Sequence, residues 1–167
     1  MNSKVITIET PLTPKELTEK LRSMTVTDFS LLYNSPHAAY YGEITSYTFN
    51  IMNVHFGPMS SFPPIQGEIQ EGVKKTNVKI KMEIHEHFKI VRTMYYTTLL
   101  PIGLIVMLLS FLVLGGTEYQ IHGFLFSSSF IICAILVVAL TKSSLITTKK
   151  KELKNLASRI GGKIISA

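Results

Sequence analysis

Apolar positions change their spacing twice along the chain. Up to residue 92 they come in short runs at strand or helix period; from 93 to 141 they are nearly continuous; beyond 142 they are spaced among lysines. In the middle stretch, 25 residues without a formal charge separate Arg92 from Glu118, and 23 more separate Glu118 from Lys142. Crossing a bilayer takes ~20 apolar residues, since a hydrocarbon core of ~30 Å is covered at ~1.5 Å per residue. The pattern therefore predicts a transmembrane helical hairpin over 93–141, with crossings at about 94–115 and 123–141.

The first 92 residues predict a small α+β domain with one helix on an antiparallel sheet. A β-branched run over 4–9 reads as a strand. A helix start follows: Thr13 as N-cap, Pro14 as first helical residue, Glu16 as the reciprocal partner of a capping box, and Leu12 and Leu17 at the positions of a hydrophobic staple. Leu17, Leu21 and Met24 continue the stripe, and the helix should end near 23–25. Further strands are expected at 29–33, 40–44 and 47–54, the last two as a hairpin closed near Thr45 and Ser46. Tyr47, Phe49 and Ile51 then share one face, with Thr48, Asn50 and Met52 on the other. A loop runs from His55 through Pro63 and Pro64. Ile65 and Ile69 oppose Gln66, Glu68 and Gln70. Val78, Ile80, Met82 and Ile84 alternate with Asn77, Lys79, Lys81, Glu83 and His85, which predicts a half-buried strand up to about Glu86. One sheet face covers the helix; the other must meet water, a partner or the membrane surface.

Charge changes the picture only when divided by segment. The net charge of +6 consists of +1 over residues 1–92 (ten Lys/Arg, nine Asp/Glu), −1 from Glu118 and +6 over the tail from 142 (seven Lys/Arg, one Glu). A near-neutral domain with a basic juxtamembrane tail points to an anionic leaflet as partner, and away from nucleic acid. Lys142, Lys149, Lys150, Lys151 and Lys154 are the expected membrane-surface contacts. Leu145, Leu153, Leu156 and Ile160 between them suggest an amphipathic segment lying on that surface, or else the tail is simply solvated; Gly161 and Gly162 would end it. Lys89, Arg92, Lys142 and the following lysines flank the hairpin, whereas its turn has no Lys or Arg. Both termini are thus expected in the cytoplasm of a two-pass inner-membrane protein. Gly103 and Ser110 on the first span, and Gly123, Ser127 and Ala134 on the second, offer small surfaces for helix packing.

Candidate chemistry is sparse. The spans contain no Asp, Glu, Lys or Arg, so a proton or ion pathway has few groups to use; Ser127, Ser128 and Ser129 could line an oligomeric pore, or simply pack. Glu83, His85 and His87 on one strand face approximate zinc ligands, but Lys79, Lys81 and Lys89 beside them mark an ordinary solvated face. Cys133, the one cysteine, lies in the second span as a packing residue, and no intramolecular disulfide is possible. Nucleophile elbow, phosphate loop, paired-cysteine and zinc-protease motifs do not occur. No cofactor, metal or catalytic residue is expected.

The stretch Ser61-Phe62-Pro63-Pro64-Ile65-Gln66-Gly67-Glu68-Ile69, followed by Val78-Lys79-Ile80-Lys81-Met82 and two spans, resembles a group of uncharacterised small bacterial membrane proteins. The resemblance implies a soluble strand domain leading through a short junction, here His85-Glu86-His87-Phe88, into a helical pair; it implies no activity. Two function classes stay open. One is a membrane-anchored interaction module whose sheet face docks a protein partner or a second copy, with an inner-membrane immunity protein as a variant. The other is a domain that binds lipid headgroups or an apolar ligand beneath its helix.

Overall fold

The computed structural model describes residues 5–56, 62–72 and 75–166. Lys4 of the first expected strand and the loop at 57–61 lie outside them. The chain divides into two compact units: Met1–His85 together with Thr147–Ala167, and Glu86–Ile146. The elements in order are β1 (Ile6–Thr10), α1 (Pro14–Ser23), β2 (Thr25–Val26), a 3-10 turn (Phe29–Asn34), β3 (Tyr40–Ile44), β4 (Thr48–Asn53), β5 (Ile65–Glu71), β6 (Thr76–Lys81), α2 (Ile84–Leu114), α3 (Gln120–Arg159) and β7 (Lys163–Ser166). The fold is α+β: a seven-stranded, mostly antiparallel sheet in the order β2-β3-β4-β5-β6-β1-β7, with three helices.

Strand alternation creates the core. Ile6, Ile8 and Thr10 of β1 lie opposite Ile80, Val78 and Thr76 of β6, and all six are buried. Phe49 and Ile51 of β4 face Gly67 and Ile65 of β5. The Phe49 ring lies over Gly67, where any Cβ would collide with it, so the position requires glycine. The α1 helix starts as its sequence specifies. The Thr13 hydroxyl accepts from the Glu16 amide at 3.3 Å, and the Glu16 carboxylate accepts from the Thr13 amide at 2.8 Å. The Thr13 amide, and then the Thr13 hydroxyl, which donates to the same carboxylate at 2.8 Å, hold the Glu16 carboxyl below its usual pKa. Leu17 and Leu21 are buried against the sheet.

Three expectations are corrected. Residues 29–33 are not a strand: the Asp28 side chain accepts from the Ser30 amide at 2.9 Å, and this cap winds the chain into a 3-10 turn with Leu31 and Tyr33 exposed. β6 stops at Lys81, with Ile84 and His85 already helical. Its partner β5 begins at Ile65 directly after Pro63 and Pro64, which lack amide donors, so the ladder ends at the pair Gln66–Lys81.

The third correction concerns the tail. Residues from Thr147 onward are not separate from the domain but part of its compact unit. The last turns of α3 place Leu153, Leu156, Ala157 and Ile160 in the core, and β7 pairs with β1. A sheet of seven strands is ~29 Å wide at ~4.8 Å per strand, and the ten residues of α1 make only ~15 Å of helix, too little to cover one face. The end of α3 supplies the missing cover. Ile160 offers its carbonyl to the Thr10 hydroxyl at 2.8 Å. Gly161 then adopts φ +64°, and the amides of Gly161 and Gly162 close back on the carbonyls of Ser158 and Ala157. This glycine cap turns the chain into β7.

The helical unit consists of most of α2 and the first two thirds of α3. Both helices are long and apolar enough to cross a membrane. Only 11% and 17% of their most apolar stretches are buried, unlike the core helices of a water-soluble domain.

Candidate interaction surface

Both covering helices lie on the face of the sheet that carries Ile8, Tyr40 and Ile69, and among the described residues of this domain none covers the other face, where Glu43, Asn50, Gln66, Glu68, Lys79 and Lys81 are exposed. On it the register sets Glu43 of β3 beside Asn50 of β4, Asn50 beside Gln66 of β5, and Gln66 beside Lys81 of β6. One step along, Thr48 lies opposite Glu68, and Glu68 opposite Lys79. Opposite charges in facing positions attract across a ladder. Together with Thr45 and Val5 these side chains line a shallow concavity of about 430 Å³. Two carboxylates, two ammonium groups, two amides and two hydroxyls leave it without net formal charge but dense in donors and acceptors.

The face follows from sequence alternation. Lys79 and Lys81, Gln66 and Glu68, and Thr48 and Asn50 all fall on the polar side of their strands. Thr45 is legible in the sequence only as part of the hairpin turn; for Glu43 the alternation of Tyr41 and Glu43 against Tyr40 and Ile44 carries the signal. The three residues weighed as zinc ligands do not share a strand face, because His85 and His87 belong to α2 and Glu83 pairs with Lys81. Among the described residues no group of three potential metal ligands comes together.

The residues assigned to helix packing lie between α2 and α3 within the helical unit. A Cβ on Gly103 would come 3.3 Å from the Ser127 carbonyl and 3.1 Å from Ile131. One on Gly123 would run into the Ser110 side chain. Ser110, Ser127 and Ala134 are buried. The Ser110 and Ser127 hydroxyls donate to the carbonyls of Val106 and Phe124 in their own helices. No protein-family model, curated protein or solved structure matches this chain. The resemblance to small bacterial membrane proteins therefore adds nothing to what the residues say.

Of the basic residues assigned to the membrane surface, Lys142, Lys150, Lys151 and Lys154 are exposed. Lys149 is half-buried and donates to the Met82 carbonyl at 3.1 Å; burial lowers its pKa. Sequence reasoning missed a buried polar cluster where α3 crosses the sheet. Glu152, 5% exposed, accepts from the Asn53 amide at 2.8 Å. Tyr40 is fully enclosed, its hydroxyl meets no partner among the described residues, and Arg159 lies 5.9 Å from the centre of its ring. Burial, and then the nearby Glu152 charge, push the Tyr40 pKa up to about 12, with Arg159 acting in the opposite direction.

Proposed function

We propose that this protein is a two-pass integral membrane protein of the inner membrane that holds its sheet domain in the cytoplasm, where the open sheet face docks a protein partner without catalysis. The carrying observation is the contrast between the units. The helical unit exposes large apolar side chains such as Leu104, Leu108, Phe111, Leu125, Ile132 and Leu136, while the chain on either side of it folds into one sheet domain. A slab of exposed leucine and phenylalanine is stable in lipid and costly in water. Because β1 pairs with β7, the segments before and after the hairpin must lie on the same side of the bilayer. The Lys/Arg bias selects the cytoplasmic side.

Topology is tested with single cysteines at Lys15, Thr117 and Lys154 on a Cys133→Ala background, probed with an impermeant maleimide in intact cells. Only Thr117→Cys should react. Labelling of Lys15→Cys or Lys154→Cys instead reverses the orientation, and opposite behaviour of those two breaks the single-sheet arrangement across the membrane.

A protein partner is favoured over an apolar ligand beneath the helix, because the cleft beside α1, about 360 Å³, is walled largely by the polar side chains of Lys15, Thr18, Glu19, Arg22, Ser46 and Glu71. The open face instead offers polar groups suited to another protein surface. A photo-crosslinking amino acid at Asn50 or Gln66 should give a discrete adduct with another protein or a second copy. The same probe at Lys20, on the solvent side of α1, should give none. Equal adducts at both places, or adducts at Lys20 alone, would remove the open face from the proposal.

A further inference from the structure

We infer that Lys89, Arg92 and Lys142 form a contact site for anionic phospholipid headgroups at the cytoplasmic edge of the hairpin; the inference rests on the two-pass reading above. The packing of α2 against α3 fixes the relative depth of these residues. Gly103 meets α3 beside Phe130, and Gly123 meets α2 at Ser110. Arg92 precedes Gly103 by 103 − 92 = 11 positions, and Lys142 follows Phe130 by 142 − 130 = 12. At ~1.5 Å per residue those steps are ~17 and ~18 Å, so in antiparallel helices the two cations reach the same depth. Lys89 lies three positions before Arg92 and therefore on the same face of α2.

That depth is one hydrocarbon thickness from the turn. From Gly115 back to Arg92 is 23 positions, or ~35 Å, and from Gly123 on to Lys142 is 19, or ~29 Å, against ~30 Å for a bilayer core. The turn end carries Glu118 and no Lys or Arg, so the charge asymmetry follows the helix axis. All three cations are exposed. The Arg92 guanidinium lies 6.0 Å from the centre of the Phe88 ring, a contact that leaves its charge unneutralised. Tyr95 and Tyr96 lie one turn deeper, at the level where aromatic rings bridge hydrocarbon and headgroup. Three cations at phosphate level complement an anionic lipid. The α3 lysines beyond 147 belong instead to the compact unit of the sheet domain.

The test uses the full chain in mild detergent, offered phosphatidylglycerol and phosphatidylcholine in equal amounts, with lipids retained through gel filtration quantified by mass spectrometry. Phosphatidylglycerol should be enriched. The enrichment should fall about fivefold for each charge removed in Lys89→Gln, Arg92→Gln and Lys142→Gln, and fall likewise at high salt. The double variant Lys150→Gln/Lys154→Gln should keep it. A wild-type protein without lipid preference, a triple variant that retains it, or displacement of the lipid by glycerol phosphate overturns the inference. Should the triple variant fail to insert, the salt dependence of the wild type decides alone. Carbonate-washed membranes are scored in parallel: release of the wild type overturns the two-pass reading itself, whereas retention without phosphatidylglycerol preference overturns only the headgroup site.

Discussion

Leu156→Ala is expected to destabilise the sheet domain by about 3 kcal/mol, although residue 156 lies 71 positions beyond the last residue of the domain's first segment, His85. The side chain is fully buried on the face of α3 that closes the sheet, and its truncation leaves a cavity that a strand ladder cannot collapse to fill. Against a typical margin of ~5–15 kcal/mol this is a large fraction. Lys154→Ala, on the exposed side of the same helix, should change stability by no more than ~0.5 kcal/mol. The comparison is made by thermal unfolding of the full chain in detergent. A fragment experiment sharpens it. Residues 1–88 alone lack the α3 cover and β7, and should not show cooperative unfolding. Joining residues 1–85 to 147–167 through a short Gly/Ser linker should restore it, because Lys149 already lies against Met82. Cooperative melting of 1–88 at the temperature of the joined protein would mean that the end of α3 is dispensable.

The second large effect concerns the buried polar cluster. Asn53→Ala removes the amide that donates to the Glu152 carboxylate, and a buried charged acceptor deprived of its donor costs ~2–3 kcal/mol. Glu152→Gln, which keeps an acceptor for Asn53, should cost clearly less. If Asn53→Ala and Glu152→Gln prove equal, the hydrogen bond is not what matters. Tyr40→Phe should act in the opposite direction, gaining ~1 kcal/mol by removing an enclosed hydroxyl that has no partner among the described residues. The pH dependence has a definite sign. The folded-state pKa of Tyr40, about 12, lies above the unfolded value of 10.0, so the native state holds its proton longer. The stability this contributes is fully present below pH 10 and is lost as pH rises toward 12. Tyr40→Phe should flatten the alkaline limb of a stability profile. A profile identical to wild type would show that Tyr40 is not the group responsible.

Much of this protein is legible along the chain because the deciding interactions are local. The capping box of α1 needs only Thr13, Pro14 and Glu16 in order, and charge-free runs of 25 and 23 residues already mark two membrane-length helices. Alternation likewise assigns Lys79, Lys81, Gln66 and Glu68 to the polar side of their strands, because successive side chains must point to opposite faces. What alternation cannot supply is the register that sets Glu68 opposite Lys79 and assembles four strands into one concave face. Local rules also fail where a competing contact wins, as at 29–33, where the Asp28 cap outweighs strand propensity, and at Ile84, where the prolines before β5 end the ladder early.

The stripe of Leu153, Leu156 and Ile160 shows the boundary between the two kinds of information. Sequence alone suggests an amphipathic helix ended by Gly161, with a simply solvated tail as the alternative, because period and cap are properties of neighbouring residues; the structure makes it a helix to Arg159. Sequence does not establish what covers the apolar face, since a bilayer surface and an uncovered sheet accept leucine equally well. Tertiary structure decides in favour of the sheet, because α1 is too short to cover seven strands and the pairing of β1 with β7 brings the far end of the chain within reach. The lengths, caps and polarity of the elements are written in the chain. Which apolar surface meets which is decided only when the whole fold competes for it.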